Sequence, residues 1–274
     1  MEQALWTRAR LGRCGPPLDL LTARFDKHVY APHAHEEFTI GVCVGGSEVI
    51  AYRGGQIRTA PGSIVVLDPE EIHTGGPGTA TGGYAYRALY AAPALLTEGT
   101  VGFGLPHFRE PLLDDPELAA SLLSAHSQLS ACPDPLEAES RLPWLLTALA
   151  CRHSTARAAS CMVPGAEAIA RAVRDRLADE LLDPPSLADL ATDLGLSRYQ
   201  LLRVFRTTMG VPPYAWLAQY RVGRARSLLD SGHRPAEVAG LVGFADQAHL
   251  TRWFRRVLGV TPAAYRNSVQ DSHR

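Results

Sequence analysis

The 274-residue sequence has no two cysteines at Cys-x-x-Cys spacing; Cys14, Cys43, Cys132, Cys151 and Cys161 are scattered along it. That argues against a disulfide framework or a clustered structural zinc site and suits a reducing compartment. No apolar run approaches the roughly 18 residues a membrane-spanning helix needs. The longest, around residues 142–151, is interrupted by Pro143 and Thr147. Arg8, Arg10 and Arg13 near the start lead into no apolar stretch, so no signal peptide is read and a cytoplasmic protein without membrane contact is expected. Also missing are a P-loop, a dinucleotide fingerprint, a Ser-His-Asp order and a paired-carboxylate motif. A catalytic role is not expected.

What is present is unevenly distributed. The formal net charge is −1, yet residues 1–160 carry 12 basic and 17 acidic side chains, and residues 161–274 carry 15 and 11. From Gly195 onward 12 arginines stand against Asp230, Glu237, Asp246 and Asp271. A basic C-terminal half fits a polyanionic partner, although many domains carry a solvated basic face. The length allows two domains. Residues from about 18 to 93 hold short strand-like pieces (38–44, 48–52, 63–67) separated by Gly45-Gly46, Gly54-Gly55 and Pro61-Gly62. Short strands at that spacing read as a sandwich or barrel. Two helical segments follow, near 118–129 and 136–151, then a small-residue linker and helix almost to the end.

A repeat marks the C-terminal part. Leu201, Arg203, Phe205, Arg206, Gly210, Val211 and Pro213 recur 49 residues later as Leu250, Arg252, Phe254, Arg255, Gly259, Val260 and Pro262. Leu250, Trp253, Phe254 and Val257 fall at i, i+3, i+4 and i+7, an apolar stripe, and Leu201, Val204 and Phe205 do the same in the first copy. The opposite faces carry Tyr199, Leu202, Arg203 and Arg206, then Ala248, Thr251, Arg252 and Arg255. Ahead of each lies a shorter helix and a Gly-containing turn: Ser186 caps the first, Ser197 with Gln200 forms a capping box, Pro235 opens the third and Asp246 caps the fourth. Short helix, turn and arginine-bearing helix is the helix-turn-helix plan. A plain bundle with charged outer faces would need neither the duplicated turn nor the matching arginines. The segment 213–230, with no proline after Pro213, would make a rod of roughly 27 Å. Such a rod suits two reading helices about one DNA turn apart, in successive major grooves.

These residues resemble the AraC/XylS class of bacterial transcription regulators. The carriers are Leu187-Ala188-x-x-Ala191, Leu196-Ser197 through Phe205-Arg206, Gly210-Val211-Pro212-Pro213, Arg221 with Ala225-Leu228-Leu229, Val242-Gly243-Phe244 through Phe254-Arg255, and Gly259-Val260-Thr261-Pro262-x-x-Tyr265. The resemblance implies a seven-helix domain that reads an asymmetric site in double-stranded promoter DNA. It places Tyr199, Leu202 and Arg203, then Gln247, Ala248, Thr251 and Arg252, on the base-reading face, the apolar Leu202 and Ala248 meeting a thymine methyl or making no specific contact. Arg206 and Arg255 are assigned to phosphates, and Ser197, Arg198 and Asp246 to the helix starts beside them. RNA polymerase and a second copy of the chain are implied as partners.

Residues 30–75 resemble the cupin-like arm of the same family through Pro32-His33-Ala34-His35-Glu36-Glu37-Phe38, Gly45-Gly46, Pro61-Gly62-Ser63 and Pro69-x-x-Ile72-His73. The expected fold is therefore α+β with two domains: a cupin-like β-barrel with following helices for effector binding and dimerisation (1–155), a linker (156–165), and an all-α domain of two helix-turn-helix units (166–268). Alternation turns His33, His35, Glu37 and Thr39 the same way, with His73 able to join them. Three imidazoles and a carboxylate suit a divalent metal. Metal-binding cupins, however, have Glu where Thr39 stands, so the histidines alternatively line a pocket for a small-molecule effector. Tyr52, Tyr86 and Arg87 are further candidates for that pocket. The leucines of the two following helices serve either domain packing or a dimer seam. A metal-dependent cupin enzyme and a nonspecific nucleoid-type binder are the rival readings.

Overall fold

A computed structural model of the chain describes residues 2–11, 17–79, 82–101, 104–131, 135–158 and 163–271. They form two compact units, Met1–Cys132 with Arg141–Ser160, and Pro133–Ser140 with Cys161–Arg274. No helix among the described residues is long and apolar enough to cross a membrane.

The first unit contains β1 (Gln3–Arg10), β2 (Pro17–Phe25), β3 (Tyr30–His33), β4 (Phe38–Gly46), β5 (Glu48–Tyr52), β6 (Gly55–Arg58), β7 (Ile64–Leu67), β8 (His73–Pro77) and β9 (Tyr84–Ala91). After these come α1 (Pro93–Thr97), β10 (Thr100–Val101), β11 (Leu112–Leu113), α2 (Pro116–Ala131), α3 (Pro135–His153), whose residues up to Ser140 belong to the second unit, and β12 (Arg157–Ala158). One antiparallel sheet has the order β1-β2-β9-β4-β7-β11 and the other β3-β8-β5-β6. The expected barrel is an open two-sheet arrangement: no ladder joins the two sheets among the described residues. Residues 34–37, between β3 and β4, carry the chain from one sheet to the other. Strand β1 lacks an alternating apolar signal; it is held to β2 along its length and by a two-bond ion pair from Arg8 to Asp19 at 2.6 and 2.7 Å. Part of the segment read as linker is β12, paired with β10.

Period-2 alternation builds the floor between the sheets. Thr39, Gly41 and Cys43 of β4 pair with Tyr90, Ala88 and Tyr86 of β9, and side chains at every second position share one face. Leu118, Leu122, Leu129, Leu142, Leu146 and Leu149 are at most 7 % exposed. These six leucines are therefore spent inside the chain, because burial already removes them from water, whereas Leu145, offered with them for a dimer seam, is half-buried.

The second unit has seven helices after residue 163: α4 (Ala166–Asp179), α5 (Leu187–Asp193), α6 (Arg198–Met209), α7 (Pro213–Asp230), α8 (Pro235–Leu241), α9 (Gln247–Leu258) and α10 (Pro262–Asp271). The caps are those the sequence predicts. Ser186 accepts from the Asp189 amide, Ser197 from that of Gln200, and Asp246 from that of His249. Helices α6 and α9 have equal length and end on Gly210 and Gly259. The tight turns before them hold Gly195 at φ 66° and Gly243 at φ 84°, a region costly for any residue with a Cβ.

Two apolar clusters fill this unit, one per helix pair. Leu187, Leu190, Leu201 and Phe205 pack with Ala170, Val173 and Leu177 of α4. Val238, Val242, Phe244, Leu250 and Phe254 pack with Val222, Ala225 and Leu229 of α7. Leu217 of α7 lies in the first cluster and Ala218 in the second, so this helix belongs to both cores. Val257, expected on the apolar stripe, stays 41 % exposed.

Arg221 of α7 is only 3 % exposed. Its guanidinium donates to the Leu181 carbonyl at 2.6 and 3.2 Å, and its Cζ lies 5.8 Å from the Phe244 ring centre. A Cβ on Gly243 would meet the Leu181 oxygen at 2.7 Å and the Arg221 guanidinium at 2.9 Å. One buried cation thereby connects the loop after α4, the shared helix and the turn before α9.

Candidate nucleic-acid interface and effector cavity

On α9 the face opposite the core is open. Gln247, Ala248, Arg252 and Arg255 are exposed and Thr251 is half-buried, its hydroxyl turned back onto the Gln247 carbonyl at 2.8 Å. On α6, Arg206 is exposed, and Arg198 and Arg203 are half-buried. Two expected base readers do not belong with them. Tyr199 is 6 % exposed, and Leu202, at 3 %, joins the cluster formed with α4. The apolar sector of α6 includes Tyr199, Leu201, Leu202, Val204 and Phe205, because each gains more from leaving water than from facing it. Ser197 and Asp246 use their side-chain oxygens to close the first turns of α6 and α9. What the repeat presents twice is an arginine pair one turn apart: Arg203 and Arg206, then Arg252 and Arg255.

In the first unit a cavity of about 230 Å³ lies between the two sheets. His33, His35, His73 and Tyr86 line it, as expected. Glu37, Tyr52 and Arg87 do not. Glu37 lies in the crossover between sheets, where strand alternation does not apply. Tyr52 is 5 % exposed, packed behind Ile50, Val65 and Leu67, which do line the cavity, and its hydroxyl accepts from the Asp68 amide at 3.1 Å. Arg87 reaches Ser127 of α2 instead, at 2.5 Å. The sequence reading missed Trp6, Tyr30 and Glu48, all of which line the cavity. The signal for Glu48 was present: an acidic residue beginning a strand whose alternate neighbour, Ile50, faces inward.

The three histidines converge, with ligand atoms within 4.8 Å of one another. Nδ1 of His33 lies 2.7 Å from the Ala31 carbonyl, and Nδ1 of His73 lies 3.0 Å from that of Glu71. Since a carbonyl only accepts, each Nδ1 is the donor, which leaves Nε2 as the ring atom available to a ligand. Burial, then the neighbouring His73 and His33, pushes His35 down to about 4; burial also lowers His73. Neutral imidazoles with free lone pairs are competent metal donors. No carboxylate belongs to the group, since Glu37 and Glu48 both fall outside it and Thr39 supplies only a hydroxyl. On the other wall, Tyr30 and Tyr86 share a 2.8 Å hydroxyl–hydroxyl bond. Burial raises Glu48 to about 8.

The chain matches two family models: an AraC-like ligand binding domain over residues 15–146 and a helix-turn-helix domain over residues 190–268. It is 29 % identical over 222 residues to the HTH-type transcriptional regulator YbfI of Bacillus subtilis, covering 80 % of each chain. It is 26 % identical over 253 residues to the arabinose operon regulatory protein of Salmonella typhimurium, covering 88 % of this chain and 87 % of that one. Among solved structures it is similar to the DNA-binding domain of AdpA in complex with a target DNA, at 34 % identity and a TM-score of 0.36, over 38 % of this chain and 94 % of that one.

Proposed function

The chain belongs to the AraC family of transcription regulators, with an AraC-type ligand-binding domain followed by a helix-turn-helix domain, and from that premise we propose how it reads DNA and what controls it. The family membership makes it a regulator rather than an enzyme. The two helix-turn-helix units enter successive major grooves of promoter DNA through α6 and α9. Arg203 and Arg252, with Gln247, Ala248 and Thr251, meet base edges; Arg206 and Arg255 hold phosphates, and Ser197, Arg198 and Asp246 set the helix starts against the backbone. The observation that carries this reading is the arginine pair repeated at a 49-residue offset on two capped helices of equal length. Selection of binding sites from random duplexes tests it. The expected product has two short elements about one turn, roughly 10 base pairs, apart. Recovery of sequences without any shared element would sink it.

A small-molecule effector occupies the cavity between the sheets and alters promoter binding or contact with RNA polymerase. The effector domain spans 1–155 and gains Arg157–Ala158 through the pairing of β12 with β10, a linker lies within the rest of 156–165, and the DNA-binding domain spans 166–268. The protein acts in the cytoplasm as a homodimer; sedimentation at micromolar concentration is expected to give twice the chain mass. A second reading follows from the convergence of His33, His35 and His73: a divalent metal held by three imidazoles. Zinc titration that leaves the histidine resonances unmoved would remove it.

A further inference from the structure

Resting on the reading of the inter-sheet cavity as the effector site, we propose that its ligand is a small organic cation, an amine or ammonium compound, with Glu48 as the counter-ion. Glu48 begins β5 and its carboxyl opens beside Gly75 of β8, where an added Cβ would collide with Oε1. The absence of a side chain at 75 is what gives the carboxyl its place. No described residue donates a hydrogen bond to that carboxyl. A half-buried acid facing a cavity without a partner has lost part of its hydration, and a ligand bearing a positive charge offsets that loss.

The walls point the same way. Trp6, Tyr30, Tyr86 and Tyr90 line the cavity, with the Trp6 and Tyr90 rings 5.1 Å apart. Aromatic faces attract cations, most strongly where water is excluded. No arginine or lysine lines the cavity. Arg53 is paired with Asp68 and Glu71, and Arg87 with Ser127. The titratable groups within electrostatic reach of the Glu48 carboxyl are Tyr30 of β3 and Tyr84, Tyr86 and Tyr90 of β9. None is a fixed positive charge, and His73 is held toward its neutral form by burial. An anionic effector would lose its water and find no fixed positive charge. A cation finds a carboxylate and several ring faces.

Proton linkage gives this site a signature. Burial raises Glu48 to about 8, so the empty cavity holds the acid protonated at neutral pH. A bound cation favours the carboxylate, and the proton leaves for solvent. A neutral ligand would release none.

Calorimetry on the chelator-treated full chain tests the proposal with matched probes. The cations are choline and phenethylamine, the neutral isosteres 3,3-dimethylbutan-1-ol and 2-phenylethanol, and the anions 3,3-dimethylbutyrate and 3-phenylpropionate. At least one cation is expected to bind tenfold or more tightly than its neutral and anionic counterparts. Its heat should change with the ionisation enthalpy of the buffer, as proton release requires. Glu48→Gln should erase both the preference and the buffer dependence while circular dichroism is retained and the melting temperature is not lowered. Glu48→Asp, the second variant, should weaken binding and keep the preference. Equal or tighter binding of the neutral or anionic probes, no binding by any of the six, or an unchanged preference in Glu48→Gln overturns the proposal. A cation that binds with the Glu48 signature yet alters neither promoter affinity nor transcription would sink the effector reading and leave the cation site standing. A neutral molecule that alters promoter affinity through the same cavity would do the reverse.

Discussion

Arg203 and Arg252 stand at equivalent places one repeat apart, as do Arg206 and Arg255, and the two pairs have separable consequences. Losing a bidentate base contact costs about 1–3 kcal/mol of discrimination at one base pair. Arg252→Ala is therefore expected to flatten one position of the selected site, and Arg203→Ala another. Arg255→Ala should instead weaken all sequences alike and lower the salt slope by about one, measured as log affinity against log salt concentration. Glu48 gives a pH effect of definite sign. The native chain holds its proton up to about 8, while the unfolded chain gives it up near 4.5. The native state thus binds more protons in that window, so this residue's contribution to stability falls as pH rises through it. His35, lowered to about 4, works the other way as pH drops from 6.5, so the comparison must be made against Glu48→Gln. Denaturant melts from pH 5 to 8 should show the variant gaining stability relative to the native chain as pH rises; parallel profiles would contradict it. Gly41 offers a third test. A Cβ there meets nothing within 4 Å and Gly41 lines the cavity, so Gly41→Val should block ligand binding while the DNA-binding unit still binds its site.

At the scale of elements, the helices were the most legible part of the chain. Capping chemistry is local: Ser197 with Gln200, and Asp246 with the amide of His249, can be read from residues three apart, and both are in place. Phe205 and Phe254, identical across the repeat, are each fully buried in their own cluster. Phe254→Ala is expected to cost about 3–5 kcal/mol, seen as early loss of helical signal on heating. The misassigned residues have tertiary causes. Helical phase alone puts Leu202 on the arginine face, but α4 covers it, and no local pattern announces that neighbour. Alternation alone turns Glu37 toward the histidines, but it holds only within a strand, and residues 34–37 are the crossover. Strand β1 was missed because its identity comes from pairing with β2 rather than from its own pattern. Glu48 was missed because an acid at a strand start usually faces water.

For the molecule as a whole, control by a ligand is a linkage problem. A compound bound between the sheets changes DNA affinity only by the difference in its affinity for two arrangements of the protein. A tenfold change in promoter binding therefore corresponds to about 1.4 kcal/mol of coupling, and reciprocity demands that promoter DNA tighten or loosen the ligand by the same factor. Titrating the ligand with and without a saturating operator duplex measures it directly.

Arg221 carries one more consequence. Because it ties the Leu181 loop to the turn at Gly243 across a helix common to both cores, the two reading heads share a single backbone and keep one fixed gauge. An operator lengthened by about five base pairs between its elements, half a helical turn, presents the second element on the far side of the duplex. Such DNA should retain only single-head affinity. Arg221→Met, which keeps the apolar stem and drops the charge, should make the protein more forgiving of one- or two-base-pair changes in that spacing.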